Sequence, residues 1–144
     1  MNFSQSNTKT GPFQVLTATD FTGFEGRACE LSNVAGVTYA IAPAALINFA
    51  NFIVVNVISW NATTSIGVIE IQPLTPATEA RVVVDANIGT CVAGTKIVVY
   101  GGAVAGKAMQ YAGSGAAFVI GIAKETPVAG QLLLIQPVCS YYTS

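Results

Sequence analysis

The segment Gly101-Gly102-Ala103-Val104-Ala105-Gly106-Lys107 spells G-x-x-x-x-G-K. At that spacing, backbone N–H groups can cradle a nucleotide phosphate while the lysine reaches its outer oxygens. A β-branched run ending in Tyr100 precedes it, as a phosphate loop requires. Two parts are missing. Ala108 stands where a Ser or Thr would hold magnesium. The stretch from Ala108 to Gly115, with Gly113-Ser114-Gly115 at its end, does not read as the helix whose N-terminus binds phosphate. A glycine-rich hairpin turn is therefore expected. Gly113-Ser114-Gly115 also begins a dinucleotide fingerprint, but Phe118 occupies the third glycine position.

Other catalytic chemistry is poorly supplied. The chain has no histidine, so the usual general base and commonest metal ligand are missing. Ser and Cys nucleophiles lack that base, and nothing pairs Lys96, Lys107 or Lys124 with a serine. Paired-carboxylate chemistry needs two acids facing one cleft. Asp20, Glu25, Glu30, Glu70, Glu79, Asp85 and Glu125 are scattered, most beside Gly, Thr or Pro at presumed turns. Cys29, Cys91 and Cys139 are odd in number and form no CxxC pair, which reads as buried thiols in a reducing compartment. No cofactor, no metal and no enzymatic activity are expected.

Composition narrows the partners. Of 144 residues, 52% are hydrophobic and only 9% charged, with a net charge of -1. An average domain is about one-quarter charged. A near-neutral chain offers no electrostatic footprint for nucleic acid or an anionic membrane. The uncharged run Tyr39 to Trp60 is long enough to span a bilayer. Against a span stand Asn48, Asn51 and Asn56 inside it, Pro43 near its start, and no flanking Lys or Arg. Ile53 to Ile58 reads instead as a buried strand. The polar N-terminus, Met1 to Gly11, has no secretory apolar region. So few charges leave a monomer short of solvated surface, and a covered oligomeric or assembly face is expected.

The elements that must position these residues are strands. Val, Ile and Thr far outnumber Leu, and β-branched side chains favour a pleated sheet. Strands are predicted near 13–18, 27–31, 37–41, 52–59, 66–72, 80–86, 95–100, 107–111, 117–123 and 131–138. Val-Ala-Gly occurs at Val34, Val92, Val104 and Val128, each time just before a predicted strand, which is turn chemistry for the glycine. Arg81 and Asp85 fall on one strand face by period two. Pro43 to Phe49 reads as one short helical turn. Segments 117–123 and 131–138 form a closing hairpin, with Pro137 marking an edge. Trp60 is expected to cap the core. Tyr141 and Tyr142 are expected in a terminal tail, available for contact. The fold class is mainly β: a small single-domain β-barrel or β-sandwich of short strands (13–144) behind an extended N-terminal arm (1–12).

The order of segments resembles a family of tailed-phage capsid decoration, or cement, proteins. The resemblance starts at Thr19-Asp20-Phe21-Thr22-Gly23-Phe24-Glu25-Gly26-Arg27-Ala28-Cys29-Glu30-Leu31, with its Glu-Gly-Arg strand entry. It continues through Ile71 to Pro76, Ala80 to Val84 and Ala93 to Tyr100, and ends in Gly121 to Glu125 and Gly130 to Leu133. The uncharged region Ala42 to Ser65 departs from the family pattern. The resemblance implies a non-enzymatic virion protein that assembles in the host cytoplasm. It would bind the outside of the major capsid protein shell as a homotrimer and stabilise it, without touching nucleic acid or membrane. Interface residues are then expected in the arm and its junction, at Asn2, Phe3, Gln5 and Phe13, and at Tyr141 and Tyr142. The alternative is a β-structured adhesin or fibre component that binds a glycan or receptor.

Overall fold

A computed structural model describes residues 12–45, 48–99 and 105–142 of the chain, and among them there are ten strands and no helix. Strands β1 (Phe13–Thr17), β2 (Ala28–Val34), β3 (Val37–Ile41), β4 (Phe52–Asn61) and β5 (Ile66–Pro73) close into a barrel in the order β1-β3-β2-β4-β5. Strands β6 (Ala80–Val83), β7 (Lys96–Val99), β8 (Ala108–Gln110), β9 (Ala117–Ala123) and β10 (Leu132–Tyr142) form a separate sheet, ordered β6-β10-β9-β7-β8. All ten predicted strands are present. The expected arm, apart from Pro12, lies outside the described residues, and so do Asn2, Phe3 and Gln5.

Closure of the barrel depends on β1. It runs antiparallel to β5 along its whole length, from Phe13 opposite Ile71 to Thr17 opposite Gly67. On its other side it meets β3 in parallel through only Leu16 with Tyr39 and Thr17 with Ala40. The β2–β3 hairpin turns through Ala35 (φ 52°) and Gly36 (φ 83°), the two left-handed positions of a type I′ turn. The other three Val-Ala-Gly glycines, Gly94, Gly106 and Gly130, also take positive φ just before β7, β8 and β10.

Strand β4 breaks the period of two. Its register against β5 skips at Val55 and again at Ile58, so each is the extra residue of a bulge. Inward positions then fall three apart. Val54 is buried in the barrel, Val57 packs against the same cluster, and the Trp60 ring lies over Gly67. The two extra residues point out, each 44% exposed. The expectation of a strand buried throughout Ile53 to Ile58 is corrected accordingly: only Ile53 and Val54 are buried.

There are two main cores. Phe21, Val54, Ile69 and Ile71 fill the barrel. A larger cluster joins barrel to sheet, packing Ile53 and Leu74 against Val82, Phe118, Ile120 and Leu133. At about 25 cal/mol per Å² of apolar surface, each such side chain contributes roughly 1.5–3 kcal/mol by leaving water.

Two local expectations change. Strand β6 ends at Val83, so Asp85 does not share the exposed face of Arg81. It is buried in a turn, where its carboxylate accepts the Asn87 N–H at 2.8 Å. The short helical turn expected at Pro43 to Phe49 centres on Leu46 and Ile47, which lie outside the described residues. Flanking them, the Asn48 N–H donates to the Ala45 carbonyl at 3.1 Å. Tyr141 and Tyr142 are not a tail but the end of β10, opposite Phe118 and Ala117. Pro137 is tolerated because β6 flanks β10 only at Leu132–Ile135, so beyond that β10 pairs with β9 alone. No helix among the described residues is long and apolar enough to cross a membrane.

Candidate interaction site

The segment 19–28 joins the two halves of the molecule, and it begins as a chain of turns. Asp20 accepts hydrogen bonds from the Thr22 hydroxyl at 2.6 Å and the Thr22 N–H at 2.9 Å, and the hydroxyl first, then the N–H, lowers its pKa. The Phe24 N–H donates to the Phe21 carbonyl, and the Arg27 N–H to the Phe24 carbonyl. Phe21 is driven into the barrel and touches Phe24 at 4.6 Å between ring centroids. The Arg27 guanidinium lies 4.5 Å from the Phe24 ring centroid, a cation–π contact.

The Glu25-Gly26-Arg27-Ala28 stretch then bonds to three places at once. The Gly26 N–H donates to the Val54 carbonyl of β4, and the Gly26 carbonyl accepts the Val83 N–H of β6, both at 2.8 Å. The Val54 N–H donates to the Arg27 carbonyl at 2.9 Å. The Ala28 N–H donates to the Gly106 carbonyl at 2.8 Å. The Glu-Gly-Arg entry of the sequence is thus the mechanical joint between barrel and sheet.

Beside the joint is a groove of about 450 Å³. Ile53, Val55, Pro73, Val83 and Leu132 give it an apolar lining, and Glu25, Glu79 and Arg81 give it charge. Glu79 pairs with Lys124 at 3.1 Å, and Arg81 with Glu125 at 3.9 Å. These exposed pairs are each worth at most about 1 kcal/mol. A second groove, about 560 Å³, opens where β1 and β3 part beyond their two-residue pairing. It is lined by uncharged residues, Phe13, Gln14 and Val15 on one side and Leu31, Val37 and Thr38 on the other. Phe13 is half-buried there, edge-on to Phe52 at 6.0 Å.

The two C-terminal tyrosines face opposite ways. Tyr141 joins Phe49 and Phe118 in an aromatic triad, with centroids 5.4 and 5.1 Å away, and Phe49 stacks on Phe118 at 4.5 Å. Phe49 and Tyr141 remain 49% and 53% exposed. Tyr142 lies 6.0 Å from Tyr111 on the other face of the sheet, with the Lys96 ammonium 5.2 Å from its ring centroid. Phe13 and the tyrosines therefore do not converge. The sequence reading missed Phe49 and Phe118 as partners of Tyr141. The signal for Phe118 was available, because period-two pairing of the predicted closing hairpin brings its start near the end of β10.

At the described end of the phosphate-loop pattern, Ala105 and Gly106 form a turn. The segment after Lys107 is strand β8, not a helix, and Gly106 is pressed onto the backbone of Ala28. The other loop residues, Gly101 to Val104, lie outside the described residues. Glu25 and Glu79 share the groove beside the joint, whereas three other carboxylates are tied locally. The Glu30 carboxylate accepts from Asn48 at 3.0 Å, that of Glu70 from Asn56 at 3.2 Å, and that of Glu125 from the Leu134 N–H at 3.0 Å. Among the described residues, no three His, Cys, Asp or Glu side chains are grouped to hold a metal. Burial, with a smaller push from Glu30, raises the Cys29 thiol to about 12, and burial also raises Cys139. The three cysteines are free. No family model, curated protein or solved structure matches the chain.

Proposed function

We propose that this chain is a structural virion protein, a capsid decoration protein that binds the outside of the major capsid protein shell and stabilises it. It assembles in the host cytoplasm as a homo-oligomer, a homotrimer on the family resemblance, and does no catalysis. One observation carries most of the reading. From Leu31 to Ile69 the chain has no charged residue, and this run supplies much of the barrel, whose surface leaves Val34, Val37, Val55, Ile58 and Ile66 exposed. Exposed aliphatic side chains on fixed strands suit a surface that another protein covers. A modest interface repeated over many copies adds up across a shell.

The test is co-sedimentation of the purified chain with shells of the virus that encodes it. Saturable binding at a fixed stoichiometry, with shells more resistant to heat, is the expected result. Shells that neither bind the chain nor gain stability would refute the reading. Exposed Phe49 and Tyr141, packed against buried Phe118, favour a second reading, an adhesin or fibre component whose exposed rings stack on a glycan. A glycan array that gives a dose-dependent signal abolished by Phe49→Ala and Tyr141→Ala would select it.

A further inference from the structure

The geometry points to a strand-addition site in the groove beside the joint. Its ligand is an extended partner segment that pairs with the outer edge of β6 and places a basic residue beside Glu25. β6 is an edge strand of its sheet up to Val83; just beyond it, Val84 bridges Ala108 of β8 in parallel and the Asp85 N–H donates to the Ala108 carbonyl at 3.1 Å. The Val84 N–H donates to the Gln131 carbonyl at 2.9 Å and the Val84 carbonyl accepts the Gly130 N–H at 3.0 Å, so Val84 points its backbone groups toward the β10 side. By alternation, Val83 and Arg81 point theirs away. At Val83 that outer position is filled, because its N–H donates to Gly26. Two residues earlier, the N–H and C=O of Arg81 meet no strand on the groove side among the described residues. An open backbone edge beside an apolar floor is what β-augmentation uses. Main-chain bonds supply affinity, and alternate side chains enter the groove.

The charge of the partner follows from the rim. Glu79 and Arg81 are balanced by Lys124 and Glu125, whereas Glu25 is exposed and has no ion pair among the described residues. The groove therefore carries one uncompensated negative charge. An extended segment with apolar residues at alternate positions and one Lys or Arg complements it. Gly26 already makes, at Val83, the bond the guest would make at Arg81. The site does not rest on the virion reading, and its test needs no capsid.

The probe is a capped heptapeptide alternating Val and Thr with one Lys, titrated into the full chain by NMR. The expected result is at least tenfold slower exchange of the Arg81 amide at saturation, with the Val83 amide unchanged. N-methylation of the peptide at its pairing positions should weaken binding at least tenfold. Glu25→Lys should weaken the Lys peptide about fivefold, near the upper range for an exposed pair, and favour a Glu-for-Lys peptide. Glu25→Gln serves as the milder variant should the reversal unfold the chain. Unchanged Arg81 exchange, or equal binding of Lys and Glu peptides to the wild type, would overturn the site. Concentration-dependent protection of Arg81 without peptide would assign the edge to a second copy and overturn the partner segment.

Discussion

Gly106 and Ala28 touch backbone to backbone across the joint. The Gly106 carbonyl accepts the Ala28 N–H at 2.8 Å, and a Cβ on Gly106 would fall inside hard contact with the Ala28 carbonyl oxygen. Gly106 also has φ +81°. Gly106→Ala adds left-handed strain of about 1–2 kcal/mol to a clash with backbone that cannot swing aside. A loss of about 3 kcal/mol or more in urea unfolding is expected. Lys107→Ala should cost less than about 1 kcal/mol. Nucleotide titration should give no affinity for Lys107→Ala to remove. A binding isotherm lost on that change would restore the phosphate-loop reading.

Ala35 is a non-glycine residue at φ 52°, the first position of a two-residue hairpin turn that Gly36 completes. Asn favours that position and Ala does not. Ala35→Asn should stabilise by about 0.5–1 kcal/mol, raising Tm by roughly 2–4 °C. An unchanged or lowered Tm in calorimetry would show that the hairpin is not type I′ in solution.

Cys29 links stability to alkaline pH. Its folded pKa of about 12 lies above the ordinary thiol value of about 9.0, because burial disfavours the thiolate. Between those values the unfolded chain loses the proton and the folded chain keeps it. The contribution is thus fully present below about pH 9 and is lost as pH rises toward 12. Wild-type stability should fall more steeply than that of Cys29→Ala over this window, by up to about 1.4 kcal/mol per pH unit. Parallel slopes in urea titrations from pH 8 to 11 would contradict this.

Ile58 and Ile66 point outward near the far end of the β4–β5 hairpin. Ile58→Lys and Ile66→Lys should leave unfolding free energy within about 0.5 kcal/mol, as for other surface changes. If the barrel face is covered in the assembly, the pair of changes should reduce shell binding or self-association at least tenfold. Sedimentation velocity and shell pull-down read both. Full binding by a folded double variant would place the interface elsewhere.

Much of the fold was legible because its causes are local. Each Val-Ala-Gly preceded a strand because glycine takes the positive φ of a turn, and Gly36, Gly94, Gly106 and Gly130 all do so. The site was less legible. Glu25-Gly26-Arg27 stood out only through a family resemblance, and nothing in its spacing indicated hydrogen bonds to Val54 and Val83, residues distant in sequence. The tyrosines were legible as a pair but not as opposed faces of one strand, because the closing strand was predicted to stop at residue 138, with Pro137 marking an edge.

By itself the sequence determined a ten-strand, glycine-punctuated β chain with no histidine and few charges. Side-chain branching and turn conformations set these features within a few residues. Only the tertiary structure decided which strands pair. Closing β1 in parallel against β3, the extra residues Val55 and Ile58, and the clasp of Gly26 and Gly106 on distant backbone depend on long-range register. A bulge shifts every later side chain to the other face, and no period-two pattern announces it.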